Sequence, residues 1–143
     1  MLSSNIHLTI QDTLHQKKYL KNKDVHHWLK FIFKKKAEIT LRLVDEKESQ
    51  KINYQFRKKN QPTNVLSFLI QDSPLVGDLI LCHPVIKKEA LIQKKKLMDH
   101  YAHLIIHGSL HLLGYDHEDT SDANIMERKE IMLLKKIGID NPY

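Results

Sequence analysis

The chain has 143 residues, 41% of them hydrophobic and 28% charged, a balance that suits one globular domain with a real core. Its 23 basic residues against 17 acidic ones leave a formal charge of +6, which fits a polyanionic partner and equally well a set of solvated lysine faces. The opening residues lack signal-peptide character and no apolar run approaches the roughly 20 residues of a membrane span, while a single cysteine, Cys82, excludes an internal disulfide and a cysteine-rich zinc site. A cytoplasmic protein with no membrane association is expected.

Ile6 to Gln11 alternates apolar and polar residues, the period of a strand. Thr13 to Lys36 carries Leu14, Leu20, Val25, Trp28, Leu29 and Ile32, which predicts one or two helices broken near Asn22 to Asp24. Glu38 to Val44 alternates again. Asp45 can cap a helix running through Tyr54, with Glu46 and Glu48 in an acidic first turn. Phe56 to Pro62 reads as a polar basic loop. Asn64 to Ile70 and Val76 to Cys82 are β-rich, with a turn at Gln71 to Pro74 between them.

Pro84 suits the start of a helix that reaches Gln93, and Lys94 to Lys96 form a connection. A second helix spans about Leu97 to Leu113, with Gly114 just beyond its end. Asp122 to Ile137 is amphipathic, with Ile125, Met126, Ile131, Leu133, Leu134 and Ile137 as core positions. Helices mixed with about four strands, without repeats or linkers, indicate a single α/β (α+β) domain.

Chemistry concentrates in HGSLHLLGYDH, residues 107 to 117. On a helix, His103, His107 and His111 share one stripe, while Leu97, Tyr101, Leu104, Ile105, Ile106, Leu110, Leu112 and Leu113 fill the other faces. Imidazoles at i and i+4 can bind one zinc ion together, and Gly114 lets the chain turn so that His117 folds back as a third ligand. Three protein ligands with an open fourth position are the catalytic type of zinc site. A pair alone would serve equally as satisfied core histidines; the third histidine and the glycine favour a metal. His103, one turn earlier, is placed to orient a ligand or contact substrate from behind the site. His100 reads as the exposed end of the stripe.

The spacing HxxxHxxGxxH is that of zinc proteases whose second residue is a glutamate serving as general base. Here Gly108 stands there, so peptide hydrolysis loses its base, although glycine permits close backbone approach beside the metal. The candidate for replacement charge is Arg57, whose guanidinium can grip two phosphoryl oxygens and would make a phosphodiester the natural electrophile; by itself Arg57 reads equally as a solvated loop charge, and spacing does not bring it to the metal.

Four blocks carry a family resemblance: NYQFRKKNQPTNVLSF (53–68), VGDLILC (76–82), HLIIHGSLHLLGYDHE (103–118) and DANIMERKEIMLL (122–134). In that order they resemble the YbeY family of bacterial endoribonucleases, the rRNA maturation factors. The resemblance implies an α/β domain with a small, mostly parallel four-stranded sheet flanked by about five helices. It implies one Zn²⁺ per chain on His107, His111 and His117, with Arg57 as a catalytic residue. The implied activity is metal-dependent cleavage of single-stranded RNA in maturing the 3′ end of small-subunit (16S) rRNA and in ribosome quality control. rRNA and the ribosome or its small-subunit proteins are then the partners.

Two departures stand out: Asn64 where many members have Asp, and Leu69 where Pro follows Ser-Phe. Asp78 is expected to end a strand or support a motif histidine rather than to catalyse. Zinc would bind a water or a phosphate oxygen, lowering a water pKa towards about 7, with Arg57 offsetting transition-state charge. Water and the RNA 2′-hydroxyl both stay open as nucleophile, and Asp116 and His103 are candidate proton carriers. The rival functions are a metal hydrolase of another substrate class, metalloprotease-like, and a non-catalytic ribosome assembly factor with structural zinc.

Overall fold

The computed structural model describes residues 5–15 and 20–143. Strands β1 (Ile6–Asp12), β2 (Ala37–Val44), β3 (Val65–Gln71) and β4 (Leu75–Cys82) form one sheet in the order β1-β2-β4-β3. The first three neighbours run parallel, and β3 lies antiparallel to β4 at one edge. Helices α1 (Asn22–Leu29), α2 (Glu46–Arg57), α3 (His83–Ile92), α4 (Leu97–Leu112) and α5 (Thr120–Lys136) complete a single α/β domain. Among the described residues no helix is long and apolar enough to cross a membrane.

Strand alternation builds the core. β2 buries Ala37, Ile39, Leu41 and Leu43 on one face, and β4 buries Leu75, Gly77, Leu79 and Leu81. Their parallel register sets these residues side by side, so the sheet offers α4 one continuous apolar surface. Gly77 is a point of closest approach: a Cβ there would stand 2.7 Å from Leu112 Cδ1. Trp28 and Leu29 of α1, with Met126, Leu133 and Leu134 of α5, join the same core cluster around α4. Of the other core positions expected on α5, Ile137 packs partly buried against this cluster, Ile131 is half-buried and Ile125 is exposed.

Most element ends fall within one or two residues of the sequence expectation, and two regions differ by more. Asn22 to Asp24 begin α1 rather than interrupt a longer helix. Upstream, Thr13 Oγ1 donates to the Leu43 carbonyl and the Leu14 N–H to the Asp12 carboxylate, a turn that ties the end of β1 to β2. Residues 16–19 of that predicted stretch lie outside the described residues. The second difference is in α2. Asp45 caps it as expected, accepting the Glu48 N–H at 2.8 Å, but the helix continues past Tyr54 to Arg57 and stops at Lys58, whose φ is 59°. Phe56 and Arg57 are therefore helical, and the basic loop starts at Lys58. The cause is polar rather than apolar periodicity. Buried Ser49 exchanges two hydrogen bonds with the Thr63 backbone, and buried Asn53 donates to the Gln61 carbonyl at 2.8 Å. These bonds sew the following loop along the helix.

Two buried histidines make stability depend on pH. Burial lowers the pKa of His83, aided by the charge of Lys87. Burial also lowers that of His100, opposed by its bond to Glu89. The unfolded chain takes up these protons near pH 6.5, before the folded chain does. The stability they contribute is therefore present above about pH 6.5 and is lost as the pH falls below it. For chelator-treated protein the thermal midpoint is expected to drop between pH 7.5 and pH 5.5; a flat or rising midpoint over that interval would contradict this.

Candidate active site

From His100 to Leu112, α4 is buried at every residue except His103, His107 and His111, which are half-buried. The three lie four residues apart and so share one face. Two of the motif histidines, His107 and His111, each spend one ring nitrogen on a fixed acceptor. His107 Nδ1 lies 3.2 Å from Glu130 Oε1, and His111 Nδ1 lies 3.0 Å from the Tyr115 carbonyl oxygen. With Nδ1–H donated in both rings, both Nε2 atoms carry lone pairs, and they face each other at 3.1 Å. Two lone pairs so close repel unless a cation or proton lies between them. Ligands of one tetrahedral zinc at about 2.0–2.1 Å stand ~3.3 Å apart, close to what is seen.

The end of α4 delivers the third imidazole. Gly114, with φ 97°, takes the left-handed position that a side chain would strain. Its N–H bonds the His111 carbonyl and the Tyr115 N–H bonds the Leu110 carbonyl, both at 3.0 Å, a Schellman ending. That ending aims the Tyr115 carbonyl back at His111. Asp116 Oδ1 then accepts the His117 N–H at 2.7 Å, and the His117 ring sits 5.0 Å from that of His111 and 5.6 Å from that of His107. Ligating atoms of His107, His111 and His117 all lie within 4.8 Å of one another. Burial lowers the pKa of His111, helped by the neighbouring His107 and His117 and opposed by the Tyr115 carbonyl and Asp116. The neutral imidazole, the form that binds metal, is thereby favoured. Three imidazoles with one side open could hold a metal ion and leave it a free coordination position.

The open side is a cavity of about 410 Å³ lined by the three histidines, Asp116, Arg57 and the run from Thr63 to Ser67. Arg57, the last residue of α2, is part of the same lining. His103 does not line this cavity. Its Nε2 bonds Glu130 at 2.9 Å, and it borders the adjoining hollow shared with His107 and Tyr143.

Three expectations need correction. His100 is not the exposed end of the stripe: it is 3% exposed and bonds Glu89 at 2.9 Å beneath α3. Asp78 does not support a motif histidine. Gly77 and Leu79 face α4, so strand alternation turns Asp78 to the opposite face, beside Phe68 of β3. The close approach that Gly108 permits is to the sheet. A Cβ on it would lie 2.9 Å from both Leu79 Cδ2 and Ser67 Oγ, and its carbonyl accepts the Ser67 hydroxyl at 3.0 Å.

The departures from the family pattern also have local reasons. The Asn64 amide donates to Glu89 at 3.1 Å, where an aspartate would meet a second carboxylate. Leu69 is exposed and adjoins the irregular pairing between Leu69 and Gln71.

Glu130 escaped the sequence reading. It is 1% exposed and receives His103, His107 and Tyr143. Burial pushes its pKa up, but the hydrogen bonds and charge of the two histidines outweigh that and bring it down to about 2. A legible signal existed: Glu130 falls four residues after Met126 and four before Leu134, on the buried stripe of α5.

Residues 7–138 match the family described as Endoribonuclease YbeY. A relative named Endoribonuclease YbeY, from Alteromonas mediterranea, is 53% identical over 111 residues, covering 74% of this chain and 70% of its own length. The solution structure of TM1509 from Thermotoga maritima superposes with a TM-score of 0.67 at 26% identity, covering 92% of this chain and 88% of that one.

Crowding at Gly108 has a measurable result. Gly108→Ala is expected to cost about 1–3 kcal/mol through overpacking against β3 and β4. Gly108→Glu should lower the melting temperature further and gain no peptidase activity. A stable Gly108→Glu variant that hydrolyses peptides would overturn this account of the position.

Proposed function

The chain belongs to the YbeY family of endoribonucleases, and on that premise we propose that it is a zinc-dependent, single-strand-specific endoribonuclease. Its proposed role is to mature the 3′ end of small-subunit (16S) rRNA and to act in ribosome quality control in the cytoplasm, with the small ribosomal subunit as partner. One observation carries the reading: Arg57 and the three imidazoles line the same open cavity.

A guanidinium lining the same cavity as a metal-type histidine set suits a phosphodiester better than an amide. It offers two parallel donors to non-bridging phosphoryl oxygens and carries a permanent charge. Arg57 thus holds the scissile phosphate and offsets the negative charge that builds during displacement. His107, His111 and His117 hold one zinc ion, which supplies Lewis acidity towards a phosphoryl oxygen. Asp116, on the cavity wall, is the side chain placed to hold a proton there. His103, set back on Glu130, serves the site through that carboxylate. Exposed Lys58 and Lys59 follow Arg57 directly and extend the positive charge along the path of a strand.

Purified protein should contain one zinc per chain by elemental analysis and cleave single-stranded RNA in a chelator-sensitive manner. Arg57→Ala should retain fold and zinc yet lose roughly 10²-fold or more in cleavage rate, the usual cost of removing a transition-state donor. His111→Ala should lose the metal. Normal cleavage by a zinc-loaded Arg57→Ala protein removes the mechanism, and stoichiometric, tight zinc in His111→Ala removes the ligand assignment. Raising salt from 50 to 200 mM should weaken single-stranded RNA binding ~20-fold if about three phosphates are neutralised; salt-independent affinity would exclude an electrostatic binding surface.

A further inference from the structure

We propose that Glu130 is a positioning residue: its buried carboxylate fixes the Nδ1–H tautomer of His107 and so aims the His107 Nε2 lone pair at a divalent cation. This rests on the metal-site reading above and adds to it a residue of α5, from outside the ligand motif.

The geometry is specific. Three donors converge on one oxygen, Glu130 Oε1: His103 Nε2 at 2.9 Å, the Tyr143 hydroxyl at 3.0 Å and His107 Nδ1 at 3.2 Å. The second oxygen, Oε2, takes the Tyr143 hydroxyl at 3.1 Å. A carboxylate this deeply buried persists only when its lone pairs are met by donors. His103 and Tyr143 supply two of them, and their rings pack edge to face at 5.4 Å. They anchor the carboxylate, and the carboxylate in turn holds His107.

A neutral imidazole in water favours the proton on Nε2, which would block the nitrogen that faces His111. An acceptor at Nδ1 reverses that preference, and Glu130 is the acceptor within reach. The Tyr115 carbonyl does the same for His111. The two helix ligands are thus oriented by different means, one by a backbone oxygen at a helix end and one by a buried charge. That charge also offsets part of the positive charge an ion would bring to three neutral rings.

Two measurements test the assignment. Imidazole ¹⁵N spectra of metal-free wild-type protein should show His107 protonated at Nδ1 and bare at Nε2. The near-isosteric variant Glu130→Gln should shift His107 towards the Nε2–H form and weaken zinc affinity about 10–100-fold in chelator competition. An Nε2–H tautomer at His107 in the metal-free wild type overturns the proposal even if Glu130→Gln fails to fold. A wild-type chain that binds zinc, with affinity unchanged in Glu130→Gln, overturns this proposal alone. A wild-type chain that binds no zinc overturns the metal-site reading with it.

Discussion

Helix α4 is closed to solvent over most of its surface, and the rest of the molecule is arranged around that fact. Leu104, Ile105, Ile106, Leu110 and Leu112 commit it to the sheet and its helical neighbours, so its polar side chains turn to partners inside the protein. The histidines answer this in pairs: His100 with Glu89, His103 and His107 with Glu130, His111 with Tyr115. The second nitrogens of His107 and His111 face each other, and both rings line the cavity. Reactivity here comes less from exposure than from an incomplete set of partners.

The same constraint explains the residue between the two ligands. Position 108 points into the join between α4 and the β3–β4 pair, where Ser67 bonds its carbonyl. A glutamate base cannot occupy that join without prising helix from sheet. The spacing shared with zinc proteases therefore describes the ligand geometry and not the chemistry. The cation that lines the same cavity, Arg57, comes instead from α2.

Much of this was legible in the residues. Alternation in β2 and β4, the Asp45 cap, the i, i+4 histidines and the turning role of Gly114 all follow from local rules that depend on a few neighbouring positions. What stayed hidden depends on distant partners. Glu130 lies 23 residues from His107 in sequence, and a lone glutamate in a charged helix resembles a solvated one. Arg57 looked like a loop residue because the bonds that prolong α2 come from Ser49 and Asn53, polar residues invisible to a search for apolar periodicity. The side on which Asp78 falls was decided by register, which alternation alone does not assign.

The parallel order of the sheet has one last consequence, for time rather than for geometry. β2 pairs with β4 across two intervening elements, and the contact between Ser67 and Gly108 spans 41 residues. Such connections form late, because the entropy of closing long loops is lost before the contacts repay it. The cavity draws on α2, β3, α4 and the turn beyond α4, so its walls are complete only when all of them are packed together. In this architecture competence for chemistry is among the last properties to be acquired during folding and among the first to be lost on unfolding.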